Sequence, residues 1–229
     1  MKRIAINGFG RIGRHVMRQL IVDPQVEVVA INDLVNAKML AHLFEFDTVY
    51  GRVPNAEISV DSEGILINGK VVKVFSERDP RNLPWKDLNV DLVLECTGIF
   101  KDEEKAGYHI QAGAKKVLIS APASGEIKNI VVGVNDNVIQ DDDVILSGAS
   151  CTTNCLAPMM HVLNSHFTIS SGFIATTHAY TGDQRLIDSP HSDFRRSRAA
   201  ALNVIPTSTG AAKAIGKVIP SLKGKLYGN

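Results

Sequence analysis

Short runs of apolar, mostly β-branched residues recur through the first 147 positions and alternate with segments of helical periodicity. An apolar run without polar interruption is typical of a strand that is buried on both faces of a sheet, as parallel strands are. An apolar position every three or four residues is typical of a helix that packs on such a sheet. The pattern therefore predicts a Rossmann-type, doubly wound α/β domain with a parallel sheet.

The predicted elements of this half follow one another closely. Asn68 and Gly69 stand between two predicted strands and indicate a tight hairpin turn, because both residue types accept a left-handed backbone. Helices are predicted through Met17, Leu20 and Ile21 and over 36–46 and 101–114. The predicted strands are 3–6, 26–32, 57–60, 64–69, 70–75, 90–96, 115–120, 129–134 and 143–147.

The pattern changes near residue 150. A helix is predicted from Cys151 toward Ser165, a long strand over 167–180, and a last helix over 209–219. Residues 181–203 have no clean period, and so long an irregular segment is usually functional. We therefore expect a domain boundary at about residue 150, with one domain over 1–150 and a second, α+β domain over 151–229.

Composition and charge exclude several classes of protein. Apolar residues make up 45% and charged residues 21%, which is the balance of a soluble globular protein. A net charge of +1 gives no global attraction for nucleic acid or for an anionic membrane, so neither is expected as a partner. Asn7 and Gly8 interrupt the first apolar run, which argues against a signal peptide, and no segment approaches the roughly 20 apolar residues of a membrane span. Three cysteines without disulfide spacing suit a reducing compartment, so a cytoplasmic location is expected.

A glycine-rich segment joins the first predicted strand to the first predicted helix. Gly8, Gly10 and Gly13 have the G-x-G-x-x-G spacing, in which the first glycine permits a tight turn and the second lets the backbone approach a pyrophosphate. The third permits close packing of helix on strand. Arg11 and Ile12 fall at the helix N-terminus, where free N–H groups favour phosphate charge. Three glycines alone are weak evidence, but this context is typical of a dinucleotide site.

A carboxylate follows at the spacing that this motif requires. Asp33 ends the second predicted strand, 20 residues after Gly13, where a carboxylate accepts hydrogen bonds from ribose hydroxyls. Its charge would repel a 2′-phosphate, so the pattern favours NAD over NADP.

The three cysteines differ in their surroundings. Cys151 and Cys155 share a helix face, but His161 does not have zinc-finger spacing and no second ligand pair exists, so no metal is expected. A disulfide between them is disfavoured in a reducing compartment. Cys96 lies in an apolar strand and Cys155 one turn into a helix, so both are expected to pack.

Cys151 occupies the first turn of its predicted helix behind Ser150, a favourable N-cap residue. The free N–H groups and the dipole of a helix N-terminus stabilise a thiolate, and Thr152 and Thr153 add hydroxyls there. A thiolate combined with a dinucleotide site indicates one chemistry: attack on an aldehyde, hydride transfer from the hemithioacetal to the nicotinamide, and a thioester product.

That chemistry requires a base and an anion site. His178 ends the predicted strand 167–180 and is a candidate base, although a single histidine is as often structural. The other histidines, His109 among them, are interpreted as surface or packing residues. Candidate anion-binding groups are Thr181, Thr209 with Gly210, Arg195, Arg196 and Arg198.

Five segments together resemble a known family. They are "INGFGRIGR", "SCTTNC", "THAYTGDQ", "RRSRAAALNVIPTSTGAAKA" and "LKGKL", and they occur in this order along the chain. They are similar to phosphorylating glyceraldehyde-3-phosphate dehydrogenases. The resemblance implies NAD as cofactor, glyceraldehyde 3-phosphate and inorganic phosphate as substrates, 1,3-bisphosphoglycerate as product, and usually a homotetramer.

The resemblance also assigns residues. Cys151 corresponds to the nucleophile and His178 to the residue that activates it. Thr181 matches a contact of the substrate's own phosphate. The positions that match contacts of inorganic phosphate or substrate are Ser150, Thr152, Arg196, Thr209 and Gly210; those that match the cofactor site are Gly8, Gly10, Arg11, Ile12, Gly13, Asp33, Arg78 and Ser120.

Two departures from the family pattern leave alternatives open. Ser189 replaces a larger apolar residue that is common there, which leaves some use of NADP open. The chain stops at Asn229, before the family's substrate-phosphate arginine and its remaining strands, so an incomplete catalytic domain is expected. An erythrose-4-phosphate or semialdehyde dehydrogenase, or an inactive NAD-binding fragment, therefore remain alternatives.

Overall fold

A computed structural model describes residues 1–228; Asn229, the last residue of the expected second domain, lies outside the described residues. The chain forms two compact units. The first comprises Met1–Ile130 and Val138–Ala149, and the second comprises Val131–Asn137 and Ser150–Asn229. Among the described residues, no helix has the length and apolar character needed to cross a membrane.

The first unit contains ten strands and three helices. Its strands are β1 (Lys2–Asn7), β2 (Val26–Asn32), β3 (Phe46–Asp47), β4 (Gly51–Arg52), β5 (Ile58–Val60), β6 (Gly64–Ile67), β7 (Lys70–Phe75), β8 (Leu92–Glu95), β9 (Lys116–Ile119) and β10 (Ile145–Ser147). Its helices are α1 (Arg11–Leu20), α2 (Ala37–Glu45) and α3 (Glu103–Gln111).

The main sheet has eight strands in the order β10-β9-β8-β1-β2-β7-β6-β5. Every neighbouring pair from β10 through to β7 is parallel, whereas β6 and β5 add antiparallel strands at one edge. The strand order reverses direction between β1 and β8, which is the switch point at which such sheets bind ligands beyond the carboxyl ends of their strands. The predicted doubly wound parallel sheet is confirmed.

Alternating side chains of the sheet build a core on each of its faces. Ile4 and Ile6 of β1 pack with Met17 of α1 in one buried cluster. Ala5, which lies between them in sequence, belongs to the opposite cluster with Ala106 of α3. Helices thus cover both faces, which explains why the parallel strands carry uninterrupted apolar runs.

The predicted hairpin turn is present. Asn68 and Gly69 join β6 to β7 with φ values of 51° and 76°, the left-handed conformation that two-residue hairpin loops require.

The predicted strand over 129–134 is wrong. Asn129 makes only an isolated bridge with Ser147, and the chain then turns over residues 132–135. Gly133 has φ of 78°, and the Asn135 side chain accepts a hydrogen bond from the backbone N–H of Val131 at 2.8 Å. These local interactions satisfy the backbone in a turn, so the apolar pattern of this segment does not produce a strand.

The second unit contains two helices and two short strands. They are α4 (Cys151–His166), β11 (Gly172–Ile174), α5 (Ala211–Val218) and β12 (Leu226–Gly228). Strand β11 pairs in parallel with β12, and the start of α4 at Cys151 is as predicted.

The long strand predicted over 167–180 is wrong in extent, because only Gly172–Ile174 is extended and paired. Within the described part of the chain, β12 is the only ladder partner of β11, and it is three residues long. A strand persists only where a neighbour satisfies its backbone groups, so the flanking residues remain irregular.

Candidate functional site

Cys151 is positioned by the start of α4. Ser150 has an extended backbone and its hydroxyl accepts a hydrogen bond from the backbone N–H of Thr153 at 3.0 Å, as an N-cap does. Cys151 is therefore the first residue of the helix, where unpaired backbone N–H groups carry partial positive charge. Its side chain is exposed and its Sγ lies 3.3 Å from Nε2 of His178.

Hydrogen bonding at the other ring nitrogen orients His178. Its Nδ1 lies 2.6 Å from the carbonyl oxygen of Ala179, which is an acceptor only, so Nδ1 carries a proton and donates it. Nε2 is consequently the atom that faces the sulfur. The ring can either accept the thiol proton there or, once protonated, donate a hydrogen bond to the thiolate.

The electrostatics of the pair favour the charged forms. Burial by itself raises the pKa of the Cys151 thiol, but the hydrogen bonds from His178 and then Thr152 outweigh it, and the net shift of the pKa is downward. The pKa of His178 is raised, first by its bond to the Ala179 carbonyl and then by Cys151. A thiolate beside an imidazolium is therefore the favoured state of the pair.

A cavity of about 570 Å³ within the second unit gathers most of the residues that the sequence singled out. The thiol and the imidazole lie in its wall together with hydroxyl and guanidinium groups. The predicted site residues that line it are Cys151, Thr152, His178, Thr181, Arg196 and Thr209.

Arg196 is held in this wall by three hydrogen bonds. Its Nε donates to Oγ1 of Thr207 at 2.7 Å, and its terminal nitrogens donate to the Asp183 carboxylate at 2.5 Å and to the Ser208 carbonyl at 3.2 Å. Asp183 and Thr207 were not identified by the sequence reasoning. The available signal was an isolated acid in an otherwise basic loop.

Two predicted phosphate-binding residues do not line the cavity but begin helices. The hydroxyl of Ser150 is engaged in the N-cap and also lies 2.7 Å from Oγ1 of Thr153. Gly210 is the N-cap of α5, and Thr209 beside it accepts a hydrogen bond from the backbone N–H of Ala211 at 3.2 Å.

The prediction that Cys155 packs is wrong, whereas that for Cys96 is confirmed. Cys155 is exposed because it lies four residues after Cys151, on the same outer face of α4. Cys96 packs beside the first core cluster, and burial raises the pKa of its thiol to about 11. The buried stripe of α4 consists of Thr153, Leu156, Ala157 and Met160.

In the first unit, the glycine-rich loop has the geometry of a phosphate cradle. Gly8 has φ of 89°, and a Cβ there would lie 2.7 Å from the backbone nitrogen of Thr97. A Cβ at Gly13 would lie 2.2 Å from the carbonyl oxygen of Gly8, so helix and strand approach as closely as the motif requires. Gly10, the N-cap of α1, has open space where its Cβ would be. The loop therefore fits a pyrophosphate at the N-terminus of α1.

The other predicted cofactor residues follow carboxyl ends of parallel strands. Asp33 follows β2, and its Oδ2 accepts a hydrogen bond from the backbone N–H of Phe9 at 2.8 Å, which ties it to the glycine loop. Arg78 follows β7 and is exposed, and Ser120 follows β9.

Arg11 and Ile12 begin α1, as predicted, but their side chains differ in their surroundings. The Arg11 guanidinium pairs with the Asp47 carboxylate, and its carbon lies 5.4 Å from the centre of the Tyr50 ring. Ile12 is 47% exposed. The position of both residues at the helix N-terminus leaves their backbone N–H groups available to a phosphate.

A Rossmann sheet with this cradle and a separate unit with a thiol–imidazole pair define a class: dehydrogenases that use a cysteine nucleophile and a dinucleotide. Comparison with known proteins specifies the family. The family model described as "Glyceraldehyde 3-phosphate dehydrogenase, NAD binding domain" matches residues 2–103, and that described as "Glyceraldehyde 3-phosphate dehydrogenase, C-terminal domain" matches residues 150–229. The chain belongs to the glyceraldehyde-3-phosphate dehydrogenase family, and its cofactor is NAD.

Curated relatives agree with this assignment. The chain is 59% identical over 231 residues to glyceraldehyde-3-phosphate dehydrogenase of Clostridium pasteurianum, which covers all of this chain and 69% of the relative. It is 58% identical to the Clostridium acetobutylicum enzyme over the same shares. It is 54% identical to glyceraldehyde-3-phosphate dehydrogenase 1 of Bacillus subtilis, over 99% of this chain and 68% of the relative.

Proposed function

We propose that this chain carries out the NAD-dependent oxidation and phosphorylation of D-glyceraldehyde 3-phosphate to 1,3-bisphosphoglycerate. The observation that carries the proposal is the 3.3 Å contact between Cys151 Sγ and His178 Nε2, in a cavity that also presents threonine hydroxyls and Arg196. Membership of the family supplies the reaction, and the geometry supplies the residues that perform it.

Cys151 acts as the nucleophile. Its thiolate attacks the aldehyde carbon, a C–S bond forms, and the imidazolium of His178 gives its Nε2 proton to the carbonyl oxygen as that oxygen becomes a hydroxyl. Neutral His178 then takes the hydroxyl proton as the carbon is oxidised to a thioester. When bound, NAD supplies the acceptor for the hydride that leaves this carbon. An oxygen of inorganic phosphate next attacks the thioester, the C–S bond breaks, and Cys151 leaves as a thiolate.

Two anions must be held during this sequence. We assign inorganic phosphate to the hydroxyl groups and helix termini, because N–H groups at helix ends favour anions. Thr181 is assigned to the phosphate of the substrate, and Arg196 offers charge to either anion because it lies in the wall of the same cavity. The residues of the inorganic-phosphate site are Ser150, Thr152, Thr209 and Gly210.

The coarser features of the proposal follow the family. Residues 1–150 serve as the NAD-binding domain and residues 151–229 as the catalytic domain, in a cytoplasmic homotetramer. In the NAD domain, Gly8, Gly10, Gly13 and the start of α1 hold the pyrophosphate, and Asp33 binds ribose hydroxyls. Arg78 and Ser120 stand at the same sheet edge, since both follow carboxyl ends of parallel strands.

The test is NAD reduction that requires both an aldehyde and phosphate. Cys151→Ser should abolish turnover while NAD binding is retained, because serine at this position is a far weaker nucleophile. Cys155→Ser is the matched control, one turn away and equally exposed, and should keep full activity.

Three outcomes would contradict the proposal. Faster turnover of erythrose 4-phosphate than of glyceraldehyde 3-phosphate would favour the related dehydrogenase. NAD binding without any turnover would favour an inactive fragment. Loss of activity in Cys155→Ser would place the nucleophile on the wrong cysteine.

A further inference from the structure

A chain of buried polar side chains lies beneath the glycine-rich loop. Asn7, Asn32 and Glu95 end the strands β1, β2 and β8, at or beside the switch point of the sheet, and His109 of α3 reaches them from one face. Glu95 and His109 are both fully buried. Burying such groups costs free energy unless each is hydrogen-bonded, so their bonding indicates what they are retained for.

The Glu95 carboxylate receives four hydrogen bonds. Its Oε2 accepts from Nδ2 of Asn7 at 2.6 Å and from Nε2 of His109 at 2.9 Å. Its Oε1 accepts from the backbone N–H of Thr97 at 2.8 Å and from the hydroxyl of the same residue. An ionised carboxylate is an acceptor only and has about four such positions, so the surroundings match this charge state completely.

Trp85 sets the protonation of the histidine. Its indole Nε1 lies 3.0 Å from Nδ1 of His109, and an indole nitrogen is a donor only. Nδ1 of His109 is therefore the acceptor, the ring is neutral, and its one proton is on Nε2. That proton is the one donated to Glu95.

The network extends to the neighbouring strand. Asn32 Nδ2 donates to Oδ1 of Asn7 at 2.7 Å and to the Glu77 carbonyl at 2.9 Å, and its Oδ1 accepts from the Glu77 N–H at 2.8 Å. Side chains thus connect the carboxyl ends of β8, β1 and β2 with the segment that follows β7.

Thr97 transmits this arrangement to the loop. The close approach of Gly8 to the Thr97 backbone means that the Thr97 peptide forms the wall against which the first glycine turn packs. Glu95 holds Thr97 by two hydrogen bonds, and Gly8 has no room to move toward that wall. A displacement of Thr97 would therefore displace the turn.

We propose that Glu95 and His109 are positioning residues of the dinucleotide site: the neutral, Nε2-protonated His109 orients the Glu95 carboxylate, which holds Thr97 and Asn7 so that the Gly8 turn keeps its cradle shape. The proposal rests on the proposed function in that the cradle binds the pyrophosphate of NAD. Both residues are buried under the loop and act through Thr97 and Asn7.

Glu95→Gln tests the proposal by calorimetric titration with NAD. The amide keeps the shape but points an NH₂ group at two donors, so Thr97 or Asn7 must shift. NAD affinity is expected to fall about tenfold or more, the size of effect that loss of a hydrogen bond to a charged group produces. Val72→Ala is the control, because Val72 is equally buried in the same unit and takes no part in the network. It should lower the melting temperature but leave the affinity for NAD unchanged.

A second measurement does not depend on a variant that folds. The ¹⁵N chemical shifts of the His109 ring in the wild-type protein should be those of the neutral Nε2–H tautomer at about pH 7. An imidazolium or an Nδ1–H tautomer would overturn the proposal. So would equal NAD affinity in wild type and Glu95→Gln, or an equal loss of affinity in Glu95→Gln and Val72→Ala. Absence of NAD binding by the wild type would instead count against the proposed function itself, since the network concerns only the ratio between proteins.

Discussion

The reactivity of Cys151 depends on which atoms of one imidazole are engaged. The Ala179 carbonyl occupies Nδ1 of His178, so Nε2 is directed at the sulfur. The helix terminus and this ring act in the same direction, because both stabilise negative charge on the thiol. Neither effect depends on a residue that merely lies nearby, so both can be tested by single substitutions.

Alkylation by iodoacetamide should label Cys151 faster than Cys155 near neutral pH. The pKa of Cys151 is lowered and that of His178 is raised, so the thiolate persists as pH falls below the ordinary range of thiols. The labelling rate of Cys151 should therefore lose its last pH dependence at a lower pH than that of Cys155, as followed by peptide mass spectrometry. His178→Asn removes the favourable partner and should move the Cys151 profile to higher pH, by about one pH unit for each 1.4 kcal/mol lost. Superposable profiles for the two cysteines would contradict the assignment.

At the scale of elements, local chemistry determines where segments turn. Two glycines with open space around their Cβ positions separate backbone conformation from packing. Gly69 in the β6–β7 hairpin has φ of 76°, whereas Gly107 lies within α3. The same substitution should therefore have opposite effects at the two positions.

Gly69→Ala should destabilise the protein by ~1 kcal/mol, because a Cβ disfavours the left-handed backbone. Gly107→Ala should stabilise it by ~0.5–1 kcal/mol, because alanine has the higher helix propensity. Urea unfolding would measure both effects as shifts in midpoint at an unchanged slope. A shift of the same sign in both variants would mean that packing, not backbone conformation, dominates at one of them.

At the scale of the whole molecule, ligand binding should be visible as stability. NAD present at about 100 times its Kd should raise the free energy of unfolding by ~2.7 kcal/mol if it binds only the folded chain. Asp33→Ala should reduce this gain and improve the relative effect of NADP, because the carboxylate that repels a 2′-phosphate is removed. Asp87→Ala, at an exposed aspartate elsewhere in the first unit, should leave both effects unchanged. Thermal unfolding with each nucleotide provides the measurement, and an unaltered NAD-to-NADP ratio in Asp33→Ala would contradict the role of Asp33.

Apolar side chains on the second unit bear on assembly. Phe194 is 88% and Leu202 86% exposed in the irregular segment after His178. Exposed apolar groups in one segment mark interaction surfaces, so they support the proposed homotetramer. Sedimentation equilibrium should show association that the double substitution Phe194→Ser and Leu202→Ser weakens. Val22→Ser, at an exposed residue of the first unit, should not weaken it; a chain that is monomeric at all concentrations would refute the tetramer.

Much of the fold was predictable because its signals are local. The β1–loop–α1 segment, the Asn68–Gly69 turn and the start of α4 depend on residues within a few positions of one another, and each was predicted where the structure has it. The class of the sheet followed from apolar runs, since burial on both faces leaves a direct mark on composition. The pairing of Cys151 with His178 was expected from chemistry and from family resemblance, but its atoms and distance were not.

Contacts between distant positions supplied the rest. The extent of β11 depends on β12, which lies some fifty residues further along, and the segment 129–134 turns where its pattern predicts a strand. Cys155 is exposed because of the direction in which α4 turns its buried stripe, and His109 is one of several histidines until Trp85 and Glu95 surround it. Periodicity reports how each segment meets solvent, whereas hydrogen-bond partners across the fold depend on which segments meet each other. The local chemistry of this sequence thus accounts for its elements and its reactive residues, and the three-dimensional packing accounts for strand lengths, for the proton on each imidazole and for the buried network beneath the loop.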